Sequence, residues 1–245
     1  MELDERQKRI RELAQISQKR NIYTFTDFLP PSYLIQVPQL LGGVKYEEWG
    51  GSDFCERKMV KFGSEIGYDA DFPLCIIKVT SSSSAFVSPF THRDLLGSLL
   101  ALGIDRSKVG DVFACEHEGY IVIHEDLKSF VLQNLTRVGK CSAKLSECTK
   151  IPDTYAPKLE ESVIIVSSLR SDVVISRAYN LSRDDALSLF LAGFVSINGR
   201  VKEKNADTLK DGDVVAVRGK GKFIFEKVVG TTQKDKMRVL IKKYK

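Results

Sequence analysis

The stretch that decides the reading runs from Ser168 to Val201, S-L-R-S-D-V-V-I-S-R-A-Y-N-L-S-R-D-D-A-L-S-L-F-L-A-G-F-V-S-I-N-G-R-V, and closes with K-D-G-D-V-V-A-V-R at Lys210 to Arg218. It predicts two short helices feeding a tight hairpin. Ser182 stands before an amphipathic run with Asp184 and Asp185 in its first turn, so it caps orphan amides while the acids face the positive helix end. Ala186, Leu189, Phe190 and Ala192 keep helical spacing, and Gly193 supplies a left-handed stop. Val195 and Ile197 then alternate into Asn198-Gly199, the strongest short-range signal for a type I′ turn, and Asp211-Gly212 turns the chain again ahead of Val214, Val215 and Val217.

Arginines sit at the ends of these elements, at Arg170, Arg177, Arg183, Arg200 and Arg218, which gives the module one cationic side. Arg183 follows the cap, so its guanidinium and the helix N-terminus can address one phosphate. Just beyond, Gly219 and Gly221 permit close backbone approach, and Lys220 and Lys222 beside them suit a phosphate contact. The candidate RNA-binding set is therefore Arg170, Arg177, Ser182, Arg183, Asn198, Arg200, Lys202, Arg218, Lys220 and Lys222. For Asn198 the turn itself is the favoured role, and Asp172 is expected to orient Arg170 or Arg183 rather than meet a polyanion.

Charge is unevenly spread over the 245 residues. Val163 to Lys245 holds 17 Lys and Arg against 9 Asp and Glu, a balance of +8, and the first 162 residues hold 20 against 23, a balance of −3. The C-terminal third is the polyanion-binding candidate. Apolar residues make up 43% and charged residues 28%, the composition of a globular protein. Five cysteines without a C-x-x-C pair, no signal peptide after M-E-L-D-E-R-Q-K-R, and no apolar run near the ~18 residues of a membrane span predict a cytoplasmic protein with no membrane contact.

The remaining chain predicts an α+β protein of three parts: an N-terminal α/β unit over residues 1–70, a ferredoxin-like domain over 71–155, and the cationic module over 163–245. Residues 2–19 form an amphipathic helix with Leu3, Ile10, Leu13, Ala14 and Ser17 on one side, and a short helix follows over Ser32 to Leu41. Gly42-Gly43 breaks the chain, and V-K-Y-E-E-W and R-K-M-V-K-F read as strands. In the middle part a strand at Leu74 to Val79 leads through a Ser81 to Ser84 loop to a helix capped by Thr91 and Asp94. Two strands joined by a Glu118-Gly119 turn, a helix from Glu125 to Val138 and a last strand complete β-α-β-β-α-β. RNA-recognition domains share this order and stack bases on sheet aromatics, for which Tyr120 and Phe113 are the candidates here; a scaffold or protein-contacting role is the favoured alternative. Tyr155 to Glu161 reads as a linker.

Fragments that mimic catalysis do not assemble a site. His92-Arg93-Asp94 copies the start of a kinase catalytic loop without its Asn or Gly-rich loop. Cys115 and His117 share a strand face but lack further ligands, so neither a metal nor a nucleophile is expected, and no cofactor. Lys58 to Lys61, K-M-V-K, is similar to the nucleotide loop of tyrosine-type aminoacyl-tRNA synthetases but has no H-x-G-H-type partner.

The order R-x-D, S-R-x-x-A, G-x-V-x-I-N-G and D-G-D resembles the alpha-L RNA-binding module of small-subunit ribosomal protein S-four, departing from it at Ser171, where an apolar residue is usual. Pseudouridine synthases often carry this module beside an R-L-D catalytic triplet, which makes an RNA-modifying enzyme the alternative reading. Over Phe25 to Lys243 the blocks D-F-L-P-P, W-G-G-S-D-F-C-E-R-K, H-R-D-L-L-G-S-L-L-A-L-G-I-D-R-S-K-V-G-D-V, V-S-S-L-R-S-D and V-R-G-K-G-K-F follow the order of the YlmH family of bacterial RNA-binding proteins. That resemblance implies a non-enzymatic factor on the large ribosomal subunit, touching rRNA and peptidyl-tRNA during ribosome-associated quality control, where alanine tails are added to stalled chains. The family's genes lie near cell-division genes, which also implies a possible division-protein partner for the N-terminal half.

Overall fold

The computed structural model describes residues 3–41, 43–63, 69–81, 89, 91–204 and 207–245. The chain divides into two compact units, Met1–Ala156 and Pro157–Lys245, and both combine helices with antiparallel sheets, an α+β architecture.

In the first unit α1 (Glu5–Arg20) opens on a reciprocal cap, in which Gln7 donates its N–H to Asp4 Oδ1 at 2.9 Å and Asp4 donates its N–H to Gln7 Oε1 at 3.0 Å. Its Ile10, Leu13 and Ala14 are buried against Val60 and Phe62 of a three-stranded sheet. That sheet comprises β1 (Thr24–Phe25), β2 (Tyr46–Trp49) and β3 (Met59–Phe62), in the order β1-β3-β2. The single helix expected over Ser32 to Leu41 is two one-turn pieces, α2 (Pro31–Leu34) and α3 (Val37–Leu40). Pro38 has no N–H to give to a preceding turn and fits only the start of a helix, so a new one begins at Val37. Gly43 follows with φ 96°, while Gly42 lies outside the described residues.

Next come β4 (Leu74–Ser81), α4 (His92–Ala101), β5 (Val109–Cys115), β6 (Glu118–His124), α5 (Lys128–Asn134), β7 (Arg137–Val138) and β8 (Cys141–Cys148). The sheet order β5-β6-β4-β8 is the ferredoxin-like one, with β7 added beside β8. Ser81 ends β4 instead of opening a loop, and Ser82, Ser83 and Ser84 lie outside the described residues. Leu95 and Leu99 of α4 and Val131 of α5 pack on Cys75, Ile77, Val79, Ile121 and Ile123.

The turn between β5 and β6 corrects the expectation. It falls at Glu116-His117, with Glu116 at φ 54°, so His117 lies in the turn and not on a strand with Cys115. Register decides this. The observed pairs Val112↔Ile121 and Phe113↔Tyr120 keep apolar residues together on each face, whereas a turn at Glu118-Gly119 would set Ile121 against Glu116. The helix expected to reach Val138 also ends early, because Val138 is fully buried in the helix-side core and pairs with Cys141 across Gly139.

The second unit contains β9 (Leu159–Val166), α6 (Ser171–Ala178), α7 (Arg183–Leu191), β10 (Val195–Ile197), β11 (Arg200–Val201), β12 (Asp213–Val217), β13 (Gly221–Thr231) and β14 (Met237–Tyr244). The strands form one antiparallel sheet in the order β11-β10-β12-β13-β14-β9. Val174, Ile175 and Ala178 of α6 and Ala186 and Phe190 of α7 are buried with Val215, Val217, Phe223, Phe225, Val239 and Ile241 of the sheet. The end of the expected linker, Leu159 to Glu161, is strand. Glu160 and Glu161 pair with Lys243 and Lys242 across β9 and β14, and Glu161 lies 3.6 Å from the Lys242 ammonium. These carboxylates offset the charge of a very basic neighbour, which is why they stand in a sheet and not in a loop.

Candidate nucleic-acid interface

In the first unit the sheet face that RNA-recognition domains leave open is closed. Ile76, Tyr120 and Val122 pack there with Phe28, Cys55 and Met59 of the N-terminal part and with Ile151 beyond β8. Tyr120 is 3% exposed and meets Tyr155 edge-on at 4.9 Å between centroids, and Phe113 lies between Phe54 at 5.4 Å and Tyr155 at 6.3 Å. Beside them the Glu118 carboxylate accepts from the hydroxyls of Tyr120 (3.0 Å) and Tyr155 (3.3 Å) and pairs with Lys78 at 2.6 Å. Aromatics consumed by one another around a carboxylate offer no platform to a nucleic-acid base.

A guanidinium clasp ties this cover down. Arg57 donates to the carbonyls of Phe28 (2.9 Å), Val109 (3.0 Å) and Arg106 (3.1 Å), while its own N–H reaches Asp111 Oδ2 at 3.1 Å. Burial, and then the neighbouring Arg106, push the Arg57 guanidinium down to about 10, and burial raises the Asp111 carboxyl. Small residues make the approach possible: a Cβ on Gly50 would lie 2.5 Å from the Arg57 carbonyl, and one on Gly110 2.8 Å from the Phe28 ring. The thiols here are unreactive by environment, with burial pushing Cys55 up to about 12 and Cys75 up to about 11.

In the second unit the cationic residues gather around a buried acid. Asp172, in the first turn of α6, is 1% exposed and receives Arg170 through two bonds, Nε to Oδ1 at 3.0 Å and Nη2 to Oδ2 at 3.1 Å. Arg183, at the start of α7, holds its Nε 4.0 Å from Asp172 Oδ2 while its side chain stays 66% exposed. One carboxylate therefore orients two guanidiniums at adjoining helix starts, and the group keeps a net positive charge. At the start of α7 Ser182 forms the expected cap: its Oγ accepts the Asp185 N–H at 3.0 Å and donates to the Asp185 carboxylate at 2.6 Å.

The other candidates have partners of their own. Arg177 donates to the edge carbonyl of Ile165 at 3.3 Å, Lys202 pairs with Asp207 at 2.7 Å, and Lys222 lies 4.7 Å from the Tyr244 ring centroid. Asn198 and Gly199, at φ 51° and 74°, form the expected turn. The Asn198 side chain donates to Asp213 Oδ1 at 2.8 Å and accepts the Val214 N–H at 2.9 Å, so both ends of its amide tie the β10–β11 turn to β12. Arg200 is exposed on β11, and Lys220 is exposed in the turn from β12 to β13. Arg218 lies over the Phe194 ring with 5.3 Å from Cζ to the centroid. Sequence reasoning missed Phe194 and also Lys243, whose ammonium donates to the Ala178 carbonyl and lies 5.6 Å from the Tyr179 centroid.

A family model described as the putative RNA-binding domain in YlmH matches residues 68–151. Ribosome-associated protein quality control protein P2 of Bacillus subtilis (strain 168) is 31% identical over 242 residues, covering 96% of this chain and 92% of that protein. The chain belongs to the YlmH family. A solved YlmH structure, cell division protein ylmH from Streptococcus pneumoniae, is 18% identical and covers 63% of this chain and 96% of that one with a TM-score of 0.47. In this YlmH protein the matched segment spans β4 to β8, the domain whose conventional stacking face is closed. Among the described residues no helix is long and apolar enough to cross a membrane, and no group of three His, Cys, Asp or Glu side chains could hold a metal ion.

Proposed function

We propose that this protein is a non-enzymatic RNA-holding factor that associates with the large ribosomal subunit and contacts rRNA and tRNA through its C-terminal unit. The observation that carries this reading is Asp172, a carboxylate buried beneath the half-exposed Arg170 and the exposed Arg183. A pair of guanidiniums fixed in direction suits phosphate oxygens, which position an RNA without reading its sequence. The name of the Bacillus subtilis relative supports a place in ribosome-associated quality control, and alanine tailing of stalled chains is the step we assign to it. The three-part division at residues 1–70, 71–155 and 163–245 serves this reading, with the first two parts as the scaffold and the third as the effector.

The test is co-sedimentation with large subunits bearing peptidyl-tRNA, measured against salt. Wild-type protein travels with the subunits and is released steeply as salt rises; Arg183→Ala weakens binding for all RNAs alike and lowers the salt slope by about 1. Wild-type protein left at the top of a low-salt gradient refutes the proposal. The rival reading, an RNA-modifying enzyme, requires a nucleotide modification lost from a deletion strain by mass mapping.

A further inference from the structure

The C-terminal end of α7 carries apolar side chains that the cationic reading does not use. Leu191 is 83% exposed, Phe194 38% and Val201 63%. Gly193, between Leu191 and Phe194 in the chain, lies close to Val201, since a Cβ there would sit 3.8 Å from Val201 Cγ1. The chain then fixes Arg218 against Phe194 twice, through the Arg218 N–H donated to the Phe194 carbonyl at 2.8 Å and through the guanidinium 5.3 Å from the ring centroid. Among the described residues Arg218 has no carboxylate within ion-pair distance.

An exposed ring beside a guanidinium without a counter-ion presents two stacking surfaces and a fan of donors. Lys220 stands two residues from Arg218, so the surroundings select an anionic polymer. A duplex offers such a surface phosphates, 2′-hydroxyls and base edges but no open base face along its length, whereas an unpaired nucleotide offers a flat base for the ring and guanidinium. We infer that Phe194 and Arg218 form a stacking site for an unpaired RNA base, flanked by Leu191 and Val201. This rests on the RNA-holding reading and adds to it a preference for a loop, bulge or single-stranded end over a continuous helix.

The test uses full-length protein titrated onto purified large ribosomal subunits, with 254-nm cross-linking and mass mapping of the linked peptides. Phe194→Leu keeps the apolar volume and removes the ring; it lowers affinity about five- to a hundred-fold, the range for one stacked base, with the salt slope unchanged. Phe194→Tyr binds as wild type, and the peptide containing Phe194 carries a cross-linked nucleotide. Equal unfolding midpoints for the variants establish that the fold is intact. The stacking site is overturned if Phe194→Leu binds as wild type while Arg183→Ala is weakened, or if the Phe194 peptide cross-links to a ribosomal protein and not to a nucleotide. Wild-type protein that fails to bind overturns the underlying RNA reading as well.

Discussion

Tyr155→Ala separates a structural sheet face from an RNA-binding one. The ring makes two edge-to-face contacts, with Tyr120 at 4.9 Å and Phe113 at 6.3 Å, and its hydroxyl donates to Glu118 at 3.3 Å. Each aromatic pair contributes about 1 kcal/mol beyond the area it buries, so the substitution costs at least about 2 kcal/mol. For a unit of this size that is a fall in Tm of about 4–8 °C. Urea unfolding followed by tyrosine and tryptophan fluorescence gives the stability, and sedimentation with large subunits at fixed salt gives the affinity. The structure requires the first to fall and the second to hold. Stability within about 0.5 kcal/mol of wild type together with a loss of RNA affinity would mean that the face is a binding platform after all.

Two further substitutions probe other parts. Asn198→Ala removes two hydrogen bonds that tie the β10–β11 turn to β12 and costs about 2 kcal/mol in denaturant unfolding, while the salt slope of RNA binding stays at the wild-type value. Asp94 is held below the usual carboxylate range by the backbone N–H and then the hydroxyl of Thr91, so its cap is fully present above the ordinary value of ~3.9 and is lost as pH falls through the lowered one. Asp94→Asn is therefore less stable than wild type at pH 7, and the two stability curves converge in acid; a constant gap down to low pH contradicts the assignment.

Features set by near neighbours in the chain could be read directly from it. The stripe of α1, the Thr91 and Asp94 box of α4, the Ser182 cap and the Asn198-Gly199 turn each depend on residues within a few positions of one another. The turn at Glu116-His117 could not be read this way, because a glutamate adopts positive φ there to keep two apolar faces in register. The start of strand β9, Leu159 to Glu161, was hidden by its carboxylates, whose lysine partners lie far downstream on β14. The role of Asp172 was legible from its surroundings of arginine, but its burial was not. Phe194 follows a helix-stopping glycine and precedes the inward Val195, so its outward direction follows from alternation, whereas the stack with Arg218 is set only when β10 meets β12.

The Arg57 clasp separates how this protein is recognised from how it works. Its acceptors are backbone carbonyls, which any residue supplies, so its geometry depends on the side chains of Arg57, Arg106 and Asp111 and on the glycines that let chains approach. Those positions lie in the W-G-G-S-D-F-C-E-R-K and D-R-S-K-V-G-D-V blocks by which such a chain is found. They report an intact scaffold. The surface chemistry of the C-terminal unit can diverge beneath the same signature, so two proteins sharing those blocks can differ at Arg170, Asp172, Arg183, Phe194 and Arg218, the positions on which the proposed RNA contacts rest.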